Sequence, residues 1–203
     1  MKVFLGISGA SGSVYGGRLL KALKTGDHDV TACVSDNAVE VMRWEEKTPG
    51  LDLSRASREV VIENFLFENG LDGGEITMVL PGDFASAFAS GSHLADAVIV
   101  CPCSMSTAAS IAAGITGNLI HRAADVMLKE GRQLALVPRE TPLSEIHLEN
   151  LLKLRRAGAH IIPAMPGFYH RPETVEDLVD FVAGKVLDVL GLPHELYDRW
   201  DGS

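Results

Sequence analysis

"KVFLGISGASGSVYGGRLLKALK", residues 2–24, decides the fold. Its first six residues form an apolar run without alternation, which reads as a strand buried on both faces. "VYGGRLLKALK", residues 14–24, reads as a helix. Between them lies a short loop of serine, glycine and alanine. A buried strand that turns through small residues into a helix is the repeating unit of a parallel α/β sheet.

The same alternation continues along the chain. "DVTACV" (29–34), "ADAVIVC" (95–101), "QLALVP" (133–138) and "AHIIPA" (159–164) read as strands. "NAVEVMRWEE" (37–46), "STAASIAAGI" (106–115), "NLIHRAADVMLKE" (118–130), "SEIHLENLLKLRRAG" (144–158, closing on Gly158) and "VEDLVDFVAGKVLDVLG" (175–191) read as helices. Residues 47–75 carry the weakest pattern; a loop, one helix and another loop are expected there. With neither an internal repeat nor a dividing linker, the 203 residues are expected to form one domain. The fold class expected is α/β, a three-layer parallel sheet with helices on both faces.

Composition narrows the function. A net charge of −9 argues against a general nucleic-acid surface and against binding to anionic membranes. The N-terminal run "VFLGI" is too short for a signal-peptide core, and no stretch approaches a membrane span. Cys33, Cys101 and Cys103 all sit in apolar runs and read as reduced thiols, which suits a cytoplasmic protein. "CPC" lacks zinc spacing and no second pair of ligands follows, so no metal is expected.

In parallel sheets ligands bind beyond the carboxyl ends of the strands. Five strand exits carry unusual chemistry: "SGASG", "VSDNA", "CPCSMST", "PRETP" and "PAMPGFYH". The first is neither G-x-G-x-x-G nor a Walker A loop, and Ser35 stands where a dinucleotide ribose would need an acid. Ser8, Ser11 and Ser13 precede a helix whose free N–H groups suit a phosphate or another electron-rich group, or they are ordinary caps. "CSMST", residues 103–107, repeats that ambiguity. Arg122 and Lys129 lie two helical turns apart with Asp125 between them, as a phosphate site or as a solvated ion-pair ladder. Arg139 and Glu140, flanked by prolines, suit phosphate recognition and proton transfer, or a buried structural pair. Tyr169 follows the last strand, as a ligand contact or a packed aromatic.

These motifs, with "FASGS", "LVPRETPLSEIHLENLLKL", "GAHIIPAMPGFYHRPETVEDLVDFV" and the terminal "RW", are arranged as in the UbiX-type flavin prenyltransferases, which the chain resembles almost end to end. The resemblance implies a Rossmann-like, flavodoxin-type subunit that binds FMN and assembles into a homo-oligomer, typically a dodecamer, with sites between subunits. It implies transfer of a dimethylallyl group from dimethylallyl phosphate to N5 and C6 of reduced FMN, giving prenylated FMN for a UbiD-type decarboxylase. Carried over to this chain, Gly9, Ala10 and Ser11 touch the flavin, while Ser35, Ser104, Met105, Ser106, Thr107 and Arg139 hold the rest of FMN. Ser90, Arg122, Lys129, Tyr169 and Lys185 surround the donor phosphate, and Trp200 closes over the site. Glu140 handles protons, Ser11 and Lys129 belong to the catalytic set, and Glu45 best matches the acid that the family carries after its second strand. Two other readings are an FMN-dependent enzyme of the cysteine-decarboxylase kind, whose His and Met-Asn-rich segment have no counterpart here, and a flavin-binding protein without catalysis.

Overall fold

The computed structural model describes residues 1–46, 50–72, 74–93 and 95–199. Six strands, β1 (Lys2–Ile7), β2 (Asp29–Val34), β3 (Thr77–Val79), β4 (Ala97–Cys103), β5 (Gln133–Pro138) and β6 (His160–Ile161), form one sheet. All pairs are parallel, in the order β3-β2-β1-β4-β5-β6. The helices are α1 (Ser13–Thr25), α2 (Asp36–Glu45), α3 (Arg58–Glu68), α4 (Met105–Ala112), α5 (Leu119–Glu130), α6 (Glu145–Arg156) and α7 (Val175–Val189).

β1 shows why the sheet is covered on both sides. Val3, Leu5 and Ile7 enter one core with residues of α1, α2, α3 and α7. Phe4 enters the other, with α4, α5 and Leu154 of α6. All four side chains are at most 1% exposed, each contributing about 1.5–3 kcal/mol relative to an exposed position. β4 and β5 alternate in the same way, through Ile99 and Val137 on one side and Val100 and Leu136 on the other. A strand with two apolar faces has no reason to alternate in sequence.

Two edges depart from the sequence reading. β3 went unassigned because its three residues are partly exposed and too few to show a period. At the other edge only His160 and Ile161 pair in register with β5. The segment nevertheless stays extended, since the N–H groups of Ile162 and Ala164 donate to the carbonyls of Leu136 and Pro138. Pro163, without an N–H, interrupts the ladder between them.

From β1 the chain proceeds through α1 to β2 on one side, while from β4 it proceeds through α4 and α5 to β5 on the other. The carboxyl ends of β1 and β4 therefore flank a topological switch point, where open parallel sheets bind ligands.

Candidate active site

Ser8 joins the two loops at the switch point. Its N–H and hydroxyl donate to Pro102 O at 3.2 and 3.0 Å, and its Oγ accepts from Ser104 N at 2.8 Å. It is 1% exposed. The hydroxyl is thus a strut between β1 and β4, not a ligand donor. Gly9 is also set by the protein itself, since a Cβ there would lie 2.5 Å from Asn37 Cβ at the start of α2. Gly12 turns the chain into α1 at φ 103°, a left-handed conformation suited to glycine. Ala10 is buried and Ser11 exposed at the crest of the loop.

The N-terminus of α1 is closed by Glu45. Gly12 N donates to both carboxylate oxygens at 2.9 and 3.0 Å, and Ser13 donates from its N and its Oγ at 3.0 Å each. Of the alternatives the sequence left for these N–H groups, a phosphate, another electron-rich group or ordinary capping, the electron-rich group found is the protein's own carboxylate. Burial opposes ionisation of Glu45, but hydrogen bonds from the Ser11 side chain, Ser13 and Gly12 outweigh it and hold the carboxyl below its ordinary range. Ser11 and Glu45, both assigned catalytic roles by resemblance, are therefore brought together.

α4 begins differently. Ser104 caps it, accepting from Thr107 N at 3.2 Å, with the hydroxyls of Ser106 and Thr107 each 3.1 Å from Ser104 Oγ. Intrahelical bonding leaves the first-turn N–H groups of Met105 and Ser106 unused. The Met105 side chain lies in the core, so only its backbone faces the helix start. Arg139 donates from Nε to Ser11 O at 3.0 Å, bringing a guanidinium to the same loops. Glu140 is exposed, its Oε1 accepting from Thr141 N at 3.0 Å, so it is not a buried partner of Arg139. Ser35 is the cap of α2, accepting from Ala38 N at 3.1 Å.

The donor-phosphate set separates into two groups. Arg122 donates from Nε to Ala89 O at 2.9 Å and pairs with Asp125 at 2.8 Å, which fixes it beside the segment carrying Ser90. Lys129 pairs with Glu130 rather than Asp125, so no continuous ladder forms. Its ammonium stands against Gly91. Lys185 lies on α7, across the sheet from α5, with Asp188 at 3.7 Å and the rings of Phe181 and Tyr197 at 5.6 and 5.4 Å. Tyr169 packs edge-on to Phe181 at 5.6 Å in the same cluster. Trp200 lies outside the described residues.

The Flavoprotein family model matches residues 1–187. The flavin prenyltransferase UbiX of Halalkalibacterium halodurans is 47% identical over 196 residues, 97% of this chain and 91% of that protein. The chain belongs to the UbiX-type flavin prenyltransferase family. Its fold matches the crystal structure of AnUbiX (PadA1) in complex with FMN and dimethylallyl pyrophosphate, with TM-score 0.85 and 37% identity, over 100% of this chain and 98% of that one. A dodecameric FMN-dependent UbiX-like decarboxylase from Escherichia coli O157:H7 gives TM-score 0.83 and 41% identity, over the whole of both chains.

Two features of this UbiX-type subunit escaped the sequence reading. The Ser13 hydroxyl lies within hydrogen-bond distance of Glu46 as well as Glu45, a pairing that no residue spacing announces. Burial pushes the Cys33 and Cys103 thiols up to about 12 and raises Cys101 well above the ordinary thiol range. These cysteines therefore stay protonated and inert near neutral pH.

Proposed function

We propose that this chain joins the dimethylallyl group of dimethylallyl phosphate to N5 and C6 of reduced FMN, making prenylated FMN for a UbiD-type decarboxylase. The carrying observation is the asymmetry of the switch point. Glu45 closes the helix start after β1, whereas the start after β4 offers backbone N–H groups, hydroxyls and the Arg139 guanidinium. One anion-accepting helix start suits a mononucleotide, and the chemistry of its donors fits the FMN phosphate.

Ser104–Thr107 and Arg139 would hold the FMN phosphate and its polyol, with Gly9, Ala10 and Ser11 along the ring and Ser35 nearby. When bound in reduced form, FMN supplies two nucleophilic centres. Ser90, Arg122, Lys129, Tyr169 and Lys185 would hold the donor phosphate, neutralising the charge that it gathers as the allylic carbon–oxygen bond breaks. Lys129 would follow that charge, and Glu140, exposed just beyond β5, would accept the proton released when the second bond forms. Glu45 orients Ser11 against the reactants, and Trp200 would exclude water.

α5 and α7 lie on opposite faces of the sheet, which favours a donor phosphate held between Arg122 of one subunit and Lys185 of a neighbour. We therefore assign the active form to a homo-oligomer, a dodecamer as in the E. coli relative.

Incubation with FMN, a reductant and either dimethylallyl phosphate or the pyrophosphate, followed by mass spectrometry of the released flavin, tests this. A flavin heavier by one prenyl group, formed faster from the monophosphate, is expected. Unmodified FMN with both donors overturns the reading.

A further inference from the structure

The Ser13 hydroxyl lies 3.0 Å from Glu45 Oε2 and 2.9 Å from Glu46 Oε1. A serine hydroxyl has one proton and can donate only one of these bonds. The other contact needs a proton from the carboxyl side, since otherwise two lone pairs face each other. Glu45 is poorly suited to supply it, because both its oxygens already accept backbone N–H bonds. Glu46 has no backbone donor among the described residues, and no described cation pairs with it.

We infer that Glu46 is held as a carboxylic acid at neutral pH, donating to Ser13 Oγ while Ser13 donates to Glu45, and so acts as a positioning residue that fixes an ionised Glu45 on the first loop. The surroundings agree. Burial pushes the Glu46 carboxyl above its ordinary range, and the charges of Glu45 and of Glu68 at the end of α3 add to the effect; only the Ser13 hydrogen bond opposes it. Glu45 is shifted in the opposite direction. Adjacent carboxyls pushed apart in this way divide the roles of acid and base. If the Glu46 proton moves to Ser13 Oγ as the Ser13 proton moves to Glu45, Glu46 becomes ionised and Glu45 neutral, with net charge unchanged. The trio thus stores one proton beneath Ser11.

The role in catalysis rests on the proposed prenyl transfer; the protonation state does not, and it can be read on the apoprotein. A folded pKa raised above the unfolded value of about 4.3 means that stability is fully present below that value and is lost as pH rises through the folded value. Glu46→Gln mimics the neutral acid and escapes this loss. Melting temperatures of the wild type and E46Q, measured between about pH 4 and pH 9 in the native assembly, should diverge in favour of E46Q, by a few degrees for each unit by which the folded pKa is raised. Parallel curves overturn the inference. Infrared spectra near neutral pH should show a carboxylic-acid C=O band in the wild type that E46Q lacks; its absence from the wild type, or its persistence in E46Q, overturns the inference too. Should E46Q fail to fold, Ser13→Ala carries the test, since cutting the bridge must shift the acid band.

The positioning role is read from the pH profile of single-turnover prenyl transfer. Ionised Glu46 would set two carboxylates against one hydroxyl, so the wild-type rate should decline on the alkaline side and E46Q should lose that decline. Identical profiles would overturn the positioning role. Failure of prenyl transfer in every protein, wild type included, would instead overturn the proposed function and leave the stability and infrared results standing.

Discussion

Glu45 places a charge where α1 has unused donors, and that charge should govern the acid stability of the first loop. Glu45→Gln keeps the shape and removes the charge. Because the folded carboxyl lies below its ordinary range, its contribution is present above the unfolded pKa of about 4.3 and disappears as pH falls through the folded value. Denaturant melts at about pH 7 should find the wild type more stable by about 0.5–2 kcal/mol, the usual size of a helix-cap contribution. The difference should shrink toward about pH 3. An equal gap at both pH values would mean that Glu45 acts by shape alone.

Lys185 illustrates a residue whose structural partners are replaceable. Burial opposes ionisation of Asp188, yet Arg199, Tyr197 and His194 hold its carboxyl down to about 2. Removing Lys185 leaves those partners in place, so Lys185→Ala should change stability by less than about 1 kcal/mol. If Lys185 reaches the donor phosphate, the same change should weaken the donor by about tenfold or more, as expected for a charge-assisted hydrogen bond. Lys185→Arg should remain active. Titrating donor into each variant with FMN already bound separates the outcomes: equal affinities in the alanine variant and the wild type would confine Lys185 to its Asp188 cluster.

At the scale of elements, the start of α4 carries the FMN assignment. Arg139→Ala should lower FMN affinity by about tenfold to a hundredfold, matching the loss of a charged hydrogen bond of about 1.5–3 kcal/mol. Arg122→Ala, on the other side of the proposed division, should leave FMN affinity near the wild-type value and weaken the donor. Fluorescence titration of FMN into both variants checks the pair, and a reversed pattern would exchange the two phosphate sites.

The elements themselves were legible because buried parallel strands and amphipathic helices leave periodic signatures. β3 left none, being three residues long on an edge. The site was less legible, for a chemical reason. Serine before a helix serves equally as cap, strut or ligand donor, and here Ser104 caps α4, Ser35 caps α2 and Ser8 joins two loops. Glu45 and Glu46 are consecutive at a helix end, so no spacing separates the carboxyl that takes backbone donors from the one that does not. The termination of α2 decides it.

At the scale of the whole molecule, α6 is the element least explained by one subunit. Leu154 is its one buried residue and Leu151 packs partly against the core, but Leu148 and Leu152 are 53% and 50% exposed. They stand one helical turn apart on the same face. Subunits carrying a net charge of −9 repel at long range, so association needs apolar contact or local compensation. α6 offers both, since Lys153, Arg155 and Arg156 follow the leucines in its last turn. Covering the exposed half of each leucine contributes about 0.8–1.5 kcal/mol, and the contact recurs in every subunit of a closed assembly. The double change Leu148→Glu/Leu152→Glu keeps good helix formers on a surface outside the subunit core. It should yield folded subunits of unchanged circular dichroism in an assembly smaller than the wild type, measured by light scattering. Prenyl transfer should fall with the assembly, as the proposed sharing of Arg122 and Lys185 between neighbouring subunits requires. A variant that keeps the wild-type mass would move the contact elsewhere. One that becomes smaller yet retains full activity would show that a single subunit completes the site.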